Sequence, residues 1–259
     1  MYTIDLSGKF GVVFGVSNHR SIAWSIARIL GQAGMTMAVT YQNERFRDGT
    51  EKLAAELEGA KTFECDVSTD DAIANVFSEI EGDFGALSVV VHSLAFAQRD
   101  ELGGAFLNTS RAGFNLALEV SAYSLIPIAK YAAPLLERGE DGNIIAMTFQ
   151  ASERVFPGYN VMGTAKAALE NEVRHLASDL GPQNIRVNAI SAGPLDTLAA
   201  RGIPRFMEMK KAHQERSPLR RNITHEEVAK TALYLCSDLS SGVTGAVIPV
   251  DSGYHIMGI

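Results

Sequence analysis

Tyr159 and Lys166 stand seven residues apart in Tyr159-Asn160-Val161-Met162-Gly163-Thr164-Ala165-Lys166. On a helix seven residues make two turns, which puts a phenol and an ammonium on one face about 10 Å apart along the axis. A phenol titrating near ~10 beside an ammonium titrating near ~10.4 can donate a proton while the cation grips a polar ligand group. Pro157 and Gly158 break the chain just before this stretch, and Ala165, Ala167, Ala168, Leu169 and Glu170 favour a helix, so one is expected to begin at Tyr159. The same two residues also suit an ordinary half-exposed helix, and the pair alone does not decide.

The elements that must hold them are legible in the rest of the chain. With 259 residues and 46% hydrophobic composition, it suits one α/β domain spanning 1–259 around a large core. A formal charge of −7 and a pI near 5.4 speak against a nucleic-acid partner. Met1 to Leu6 lack a basic and apolar leader, and no run is expected to reach the roughly 20 residues that cross a bilayer, so a cytoplasmic protein without a membrane partner is expected. Cys65 and Cys236 have no paired spacing and read as reduced core thiols, and no metal cluster is expected.

Lys9 to Gly15 reads as a buried strand, Ser21 to Leu30 as a helix and Met35 to Tyr41 as a second strand: a βαβ unit of the kind that binds dinucleotides. The usual glycine-rich turn keeps only its first glycine, Gly15. A phosphate on the first amides of the helix, aided by Ser21, and Ser21 as a plain N-cap are both open readings. After the second strand Gln42 stands where an acid often binds an adenosine ribose. A helix at Asp48 to Leu57 leads to a strand at Thr62 to Val67, where Asp66 could accept from an adenine amino group or simply form a turn. A helix from Asp71 to Glu81 feeds a strand at Leu87 to His92. The small residues that follow, in Ser93-Leu94-Ala95-Phe96-Ala97, suit a flat ring or a tight loop. A long helical stretch from Phe114 to Leu136 contains Ser121-Ala122-Tyr123-Ser124 and is expected to kink at Pro127. Further strands are expected at Asn143 to Thr148, Ile185 to Ile190 and Ala246 to Val250. Strands alternating with helices predict a Rossmann-like, doubly wound, parallel seven-stranded sheet with helices on both faces. Ligands bind beyond the carboxyl ends of such strands, where Gly15, Gln42, Asp66, Ser93, Phe149 and Ser191 to Pro194 fall.

Gly15-x5-Ser21-x-Ala23 together with Tyr159-x2-Met162-x3-Lys166 resembles the divergent branch of the short-chain dehydrogenase/reductases, the enoyl-acyl carrier protein reductases. The resemblance runs nearly end to end, through Cys65-Asp66-Val67, His92-Ser93, Phe96-Ala97, Arg186 to Pro194 and Ser237-Asp238-Leu239. It implies reduction of the trans-2 double bond of an enoyl thioester by hydride from NADH, with NADPH less favoured, and an acyl carrier protein as substrate carrier. It also implies a homotetramer. By resemblance Gly15, Ser21 and Ile22 serve the pyrophosphate, Gln42 the adenosine ribose, Asp66 and Val67 the adenine, Ser93, Leu94 and Lys166 the nicotinamide ribose region. Leu195, Asp196, Thr197, Leu198 and Ala199 close over the cofactor. Tyr159, Lys166 and Phe149 are the catalytic residues by this resemblance, Tyr159 facing the thioester carbonyl. Phe96, Ala97, Phe149, Met162, Ile203 and Phe206 meet the acyl chain, under a mobile lid at about 197–217. Two positions depart from the pattern. Phe149 replaces a tyrosine of many relatives, and Asp196 replaces a basic residue and is expected to face solvent.

The ketoreductases of the same superfamily carry Tyr-x3-Lys and a serine about thirteen residues before the tyrosine. Here Gly163 and Ala146 occupy those places, although Thr148 and Ser152 lie nearby. A carbonyl or hydroxy dehydrogenase on the same fold is therefore the alternative.

Overall fold

The computed structural model describes residues 3–139 and 141–258. Met1, Tyr2 and Ile259, on which parts of the terminal expectations fall, lie outside the described residues. Seven parallel strands form one sheet: β1 (Phe10–Phe14), β2 (Thr36–Tyr41), β3 (Lys61–Glu64), β4 (Val89–His92), β5 (Asn143–Thr148), β6 (Arg186–Ala192) and β7 (Val247–Val250). Their spatial order is β3-β2-β1-β4-β5-β6-β7, so the order reverses between β1 and β4, and a crevice opens there at the carboxyl ends. Two apolar layers cover the sheet. On one face α3 (Asp70–Phe84), α5 (Leu125–Arg138) and α6 (Val161–Leu180) bury Phe14, Ile73, Phe77, Ile128 and Leu169. On the other, α1 (Ile22–Gln32) and α8 (His225–Leu235) bury Trp24, Ile26, Leu30, Val228 and Leu235. The chain thus has the expected doubly wound parallel sheet.

Local chemistry sets where the helices begin. Ser21 Oγ accepts the Trp24 N–H at 3.3 Å and caps α1. Thr224 and Glu227 form a reciprocal capping box on α8. The helix expected over 48–57 runs instead as α2 (Glu44–Ala54), because Asn43 caps it, its side chain accepting the Arg45 N–H at 3.2 Å. The helix expected from 114 to 136 is α4 (Arg111–Leu118), a π turn at Glu119–Tyr123, and α5. The irregularity lies one turn before Pro127, whose ring would crowd the carbonyl of Tyr123 in a regular helix; the wide turn ends on that residue. This 28-residue run, Arg111–Arg138, is long and apolar enough to span a bilayer by length and composition, contrary to expectation. Half of its most apolar window is buried in the fold, where it covers the sheet.

Tyr159 also departs from expectation. It precedes α6 in a turn: Asn160 has φ 39° and its side chain donates to the Gly103 carbonyl at 2.5 Å, so regular helix begins only at Val161. At the far edge of the sheet, β7 pairs among the described residues only with β6 and carries Pro249. The carbonyls of Ala246 and Val250 accept from Ala189 and Gly193, which turns the backbone of Pro249 outward.

Candidate active site

A cleft of about 730 Å³ follows the crevice from the β1–α1 turn past the ends of β2 to β6. It continues under α7 (Phe206–Arg216) and the short helical turn at Ala200–Gly202. Gly15 makes the entry turn. Its φ is +98°, and a Cβ there would lie 2.1 Å from the Ser93 carbonyl oxygen, so only glycine lets the loops after β1 and β4 meet.

Lys166 is almost fully buried on α6. Its ammonium donates to the Met147 carbonyl at 2.8 Å and the Leu94 carbonyl at 3.1 Å. Two of its three N–H groups are thereby used, and one is left for the cleft that it lines. Burial lowers its pKa to about 8, against the carboxylates of Glu170 and Glu172, which act to raise it. Glu172 is itself pushed up to about 7 by burial. Tyr159 is 8% exposed, and burial pushes its phenol above the ordinary value. Its hydroxyl has no hydrogen-bond partner among the described residues, so at neutral pH it is an uncommitted donor in the cleft. Phe149 packs edge-on against the Tyr159 ring, centroids 5.2 Å apart, and Phe156 packs on Phe149 at 4.7 Å. With no titratable group of its own, Phe149 contributes an apolar wall.

Gly15, Ser21, Ile22, Gln42, Asp66, Val67, Ser93, Leu94, Leu195, Thr197, Leu198 and Ala199 all line this cleft, as do Phe96, Ala97, Met162, Ile203 and Phe206. Asp196 does not. It lies near His225 at the start of α8, and its charge acts to raise the pKa of that histidine. Asp196 is half-buried, between Leu195 and Thr197, which do line the cleft. Gln42 reaches Asp66, its amide donating at 3.4 Å. On α7, Phe206 and Met209 face the cleft, whereas Met207 is 67% exposed. Residues three apart share a helix face and neighbours do not.

Sequence reading missed Phe46, which lines the cleft from α2, and Arg99, Leu102, Leu116 and Val120. Phe46 carried a signal, three residues after the Asn43 cap. The others depend on how loops fold over α4. Thr148 lines the cleft, but its hydroxyl donates to Glu170 Oε1 at 2.7 Å, and Ser152 is not part of the lining. A Cβ at Gly163 would come within 2.7 Å of the Ala151 carbonyl oxygen, so a lysine there would be crowded. Both features disfavour a ketoreductase arrangement.

The cleft fits a nicotinamide dinucleotide by its donor set. The N-terminus of α1 has no acid in its first turn, and a lysine with one spare donor lines the same cleft as an uncommitted phenol. The family model described as "Enoyl-(Acyl carrier protein) reductase" matches residues 15–255. The chain is 49% identical over 255 residues to "Enoyl-[acyl-carrier-protein] reductase [NADH] FabI" of Bacillus cereus, covering 98% of this chain and 99% of that one. It is 48% identical to the enzyme of Staphylococcus aureus named for NADPH, covering 97% and 98%. A solved structure of the Bacillus cereus reductase with NADP+ and an indole naphthyridinone superposes with a TM-score of 0.95, at 49% identity, covering 98% of this chain and 100% of that one.

Proposed function

This chain belongs to the enoyl-[acyl-carrier-protein] reductases, and from that membership we propose how its residues reduce the trans-2 double bond of an enoyl thioester carried by acyl carrier protein. Bound reduced nicotinamide dinucleotide supplies the hydride to C3 of the enoyl group. Gly15, Ser21 and Ile22 hold its pyrophosphate, Gln42 its adenosine ribose, Asp66 and Val67 its adenine. The spare donor of Lys166 holds the nicotinamide ribose, with Ser93 and Leu94 beside it. Negative charge then develops on the thioester oxygen, the Tyr159 phenol donates a hydrogen bond to it, and protonation of the enolate at C2 completes the reduction. A fixed donor in a site drawn away from water stabilises such charge more than water does. Phe149 keeps the phenol's ring in place. Phe96, Ala97, Met162, Ile203 and Phe206 receive the acyl chain, and 197–217 covers it.

The observation that carries this reading is the uncommitted, protonated Tyr159 hydroxyl in one cleft with a charged Lys166. Oxidation of reduced cofactor with a crotonyl thioester, but not with an acetoacetyl thioester, is the expected result. The reverse would favour a carbonyl or hydroxy dehydrogenase.

NADH is the preferred donor in our reading. Gln42 is neutral, Glu44 pairs with Arg47 at 3.4 Å, and the Arg45 guanidinium lies 5.8 Å from the Phe46 ring centroid. Arg45 is the one cation close at hand for a ribose phosphate, since Phe46 lines the cleft, so the preference for NADH is a modest one. Equal catalytic efficiency with NADPH would overturn this preference. We further propose that the enzyme works in the cytoplasm as a homotetramer. The buried, unpaired Cys65 and Cys236, both with thiols pushed up to about 12 by burial, suit a reducing compartment.

A further inference from the structure

Ser121 lies on the π turn, has no exposed surface and is not part of the cleft wall. Its hydroxyl oxygen accepts the Phe96 N–H at 2.9 Å. The hydroxyl proton has two acceptors in reach, the Phe96 carbonyl at 3.2 Å and the Met162 sulfur at 3.7 Å. Phe96 belongs to the loop after β4 and Met162 to the first turn of α6, so one hydroxyl ties two separate walls of the cleft together. The π turn also brings Ser124 inward, where its Oγ lies 2.8 Å from His92 Nε2. Because Ser124 Oγ donates to the Val120 carbonyl at 2.8 Å, His92 Nε2 must be the donor to it. Two serines three residues apart therefore fix both ends of the segment from His92 to Phe96. The cofactor-side carbonyl of that segment, Leu94, has its own tie to Lys166, which leaves Ser121 responsible for the substrate side. Wide turns of this sort recur where a helix serves a site.

We infer that Ser121 is a positioning residue for the acyl chain: it seats Phe96 against Met162 and so sets the width of the acyl groove without touching cofactor or reacting atoms. The inference rests on the enoyl-reductase reading. Its test is steady-state kinetics of Ser121→Ala and Ser121→Cys with crotonyl and dodecenoyl thioesters, alongside titration of each variant with NADH. A thiol is a weaker donor and acceptor of similar shape, so the Cys variant carries the test if the Ala variant binds no NADH. For Ser121→Ala, loss of these hydrogen bonds is expected to raise KM for the dodecenoyl substrate about five- to tenfold, and for the Cys variant about two- to threefold. The four-carbon substrate, too short to use the groove, should show a smaller change in KM. Values of kcat per NADH-binding site should stay within about twofold, as expected when binding is lost equally from ground and transition states. An unchanged dodecenoyl KM in a variant that binds NADH normally overturns the inference, as does a fall in kcat alone. Failure of the unaltered enzyme to reduce either enoyl thioester would instead overturn the functional reading.

Discussion

Tyr159 and Lys166 are both buried, and burial acts on them in opposite chemical senses. It keeps the phenol protonated, and it weakens the lysine's hold on its proton. Tyr159→Phe should therefore lower kcat by about 10²–10³, the usual cost of one donor to a developing oxyanion, and leave NADH affinity nearly unchanged. Lys166→Ala should weaken NADH binding in the absence of substrate; titration of both variants with NADH alone checks the order. The lysine also sets a pH dependence. Its folded pKa of about 8 lies below the ~10.4 of an unfolded lysine, so at pH 7 it is charged, and the charge is lost as pH rises through about 8. NADH affinity should fall between pH 7 and 9, and the fall should vanish in Lys166→Met. Stability runs the other way. The cost of burying the charge is fully present below pH 8 and is relieved between about 8 and ~10.4, where the unfolded chain binds more protons.

Among the elements, α7 is the one whose motion is proposed to bear on turnover. It buries Phe206 and His213, and it leans on the C-terminal segment through the His213–Tyr254 stack, centroids 3.7 Å apart. Gly103 and Gly158 close on Pro204 just before it, a Cβ at Gly103 coming within 2.9 Å of the proline ring. Hydrogen exchange over 197–217 should slow on addition of NADH with an unreactive acyl thioester; unchanged exchange would mark α7 as an ordinary surface helix with one buried face. Most strands were legible in the sequence because parallel strands buried on both faces read as continuous apolar runs, as in Val89 to Val91 and Ile144 to Met147. The cleft residues were legible for a different reason: they fall at the strand ends that the order of elements dictates. The π turn at Glu119–Tyr123 was not, since Pro127 marks a disturbance but not the side on which the backbone yields. The turn before Val161 was also hidden. Asn160 takes a positive φ because its side chain finds the Gly103 carbonyl, a contact made across fifty-seven residues of sequence.

For the whole molecule, two surfaces ask for cover. The outer side of the α4–α5 run exposes Tyr123 and Ile126, and β7 leaves Val247, Ile248 and Val250 only half buried at the sheet edge. Isologous pairing of both around two-fold axes would bury them, which is the basis for expecting a tetramer. Sedimentation at micromolar concentration should show about four times the 27.9 kDa chain mass. A peak at the monomer mass would contradict it.

Pro249 bears on how such an assembly can end. An edge strand normally offers a row of N–H groups to any strand that drifts alongside, and a sheet that accepts one newcomer can accept another without limit. In β7 only Val247 and Pro249 present their backbone outward, and Pro249 has no N–H to give. The edge thus keeps a single outward N–H, that of Val247, and a neighbouring copy finds less there for backbone pairing than for contact through side chains. Growth into fibres loses part of its template at this edge. Pro249→Thr restores the missing donor, and on warming it should raise the rate of thioflavin-positive aggregation above that of the unaltered chain; an equal rate would show that the edge is guarded by something else.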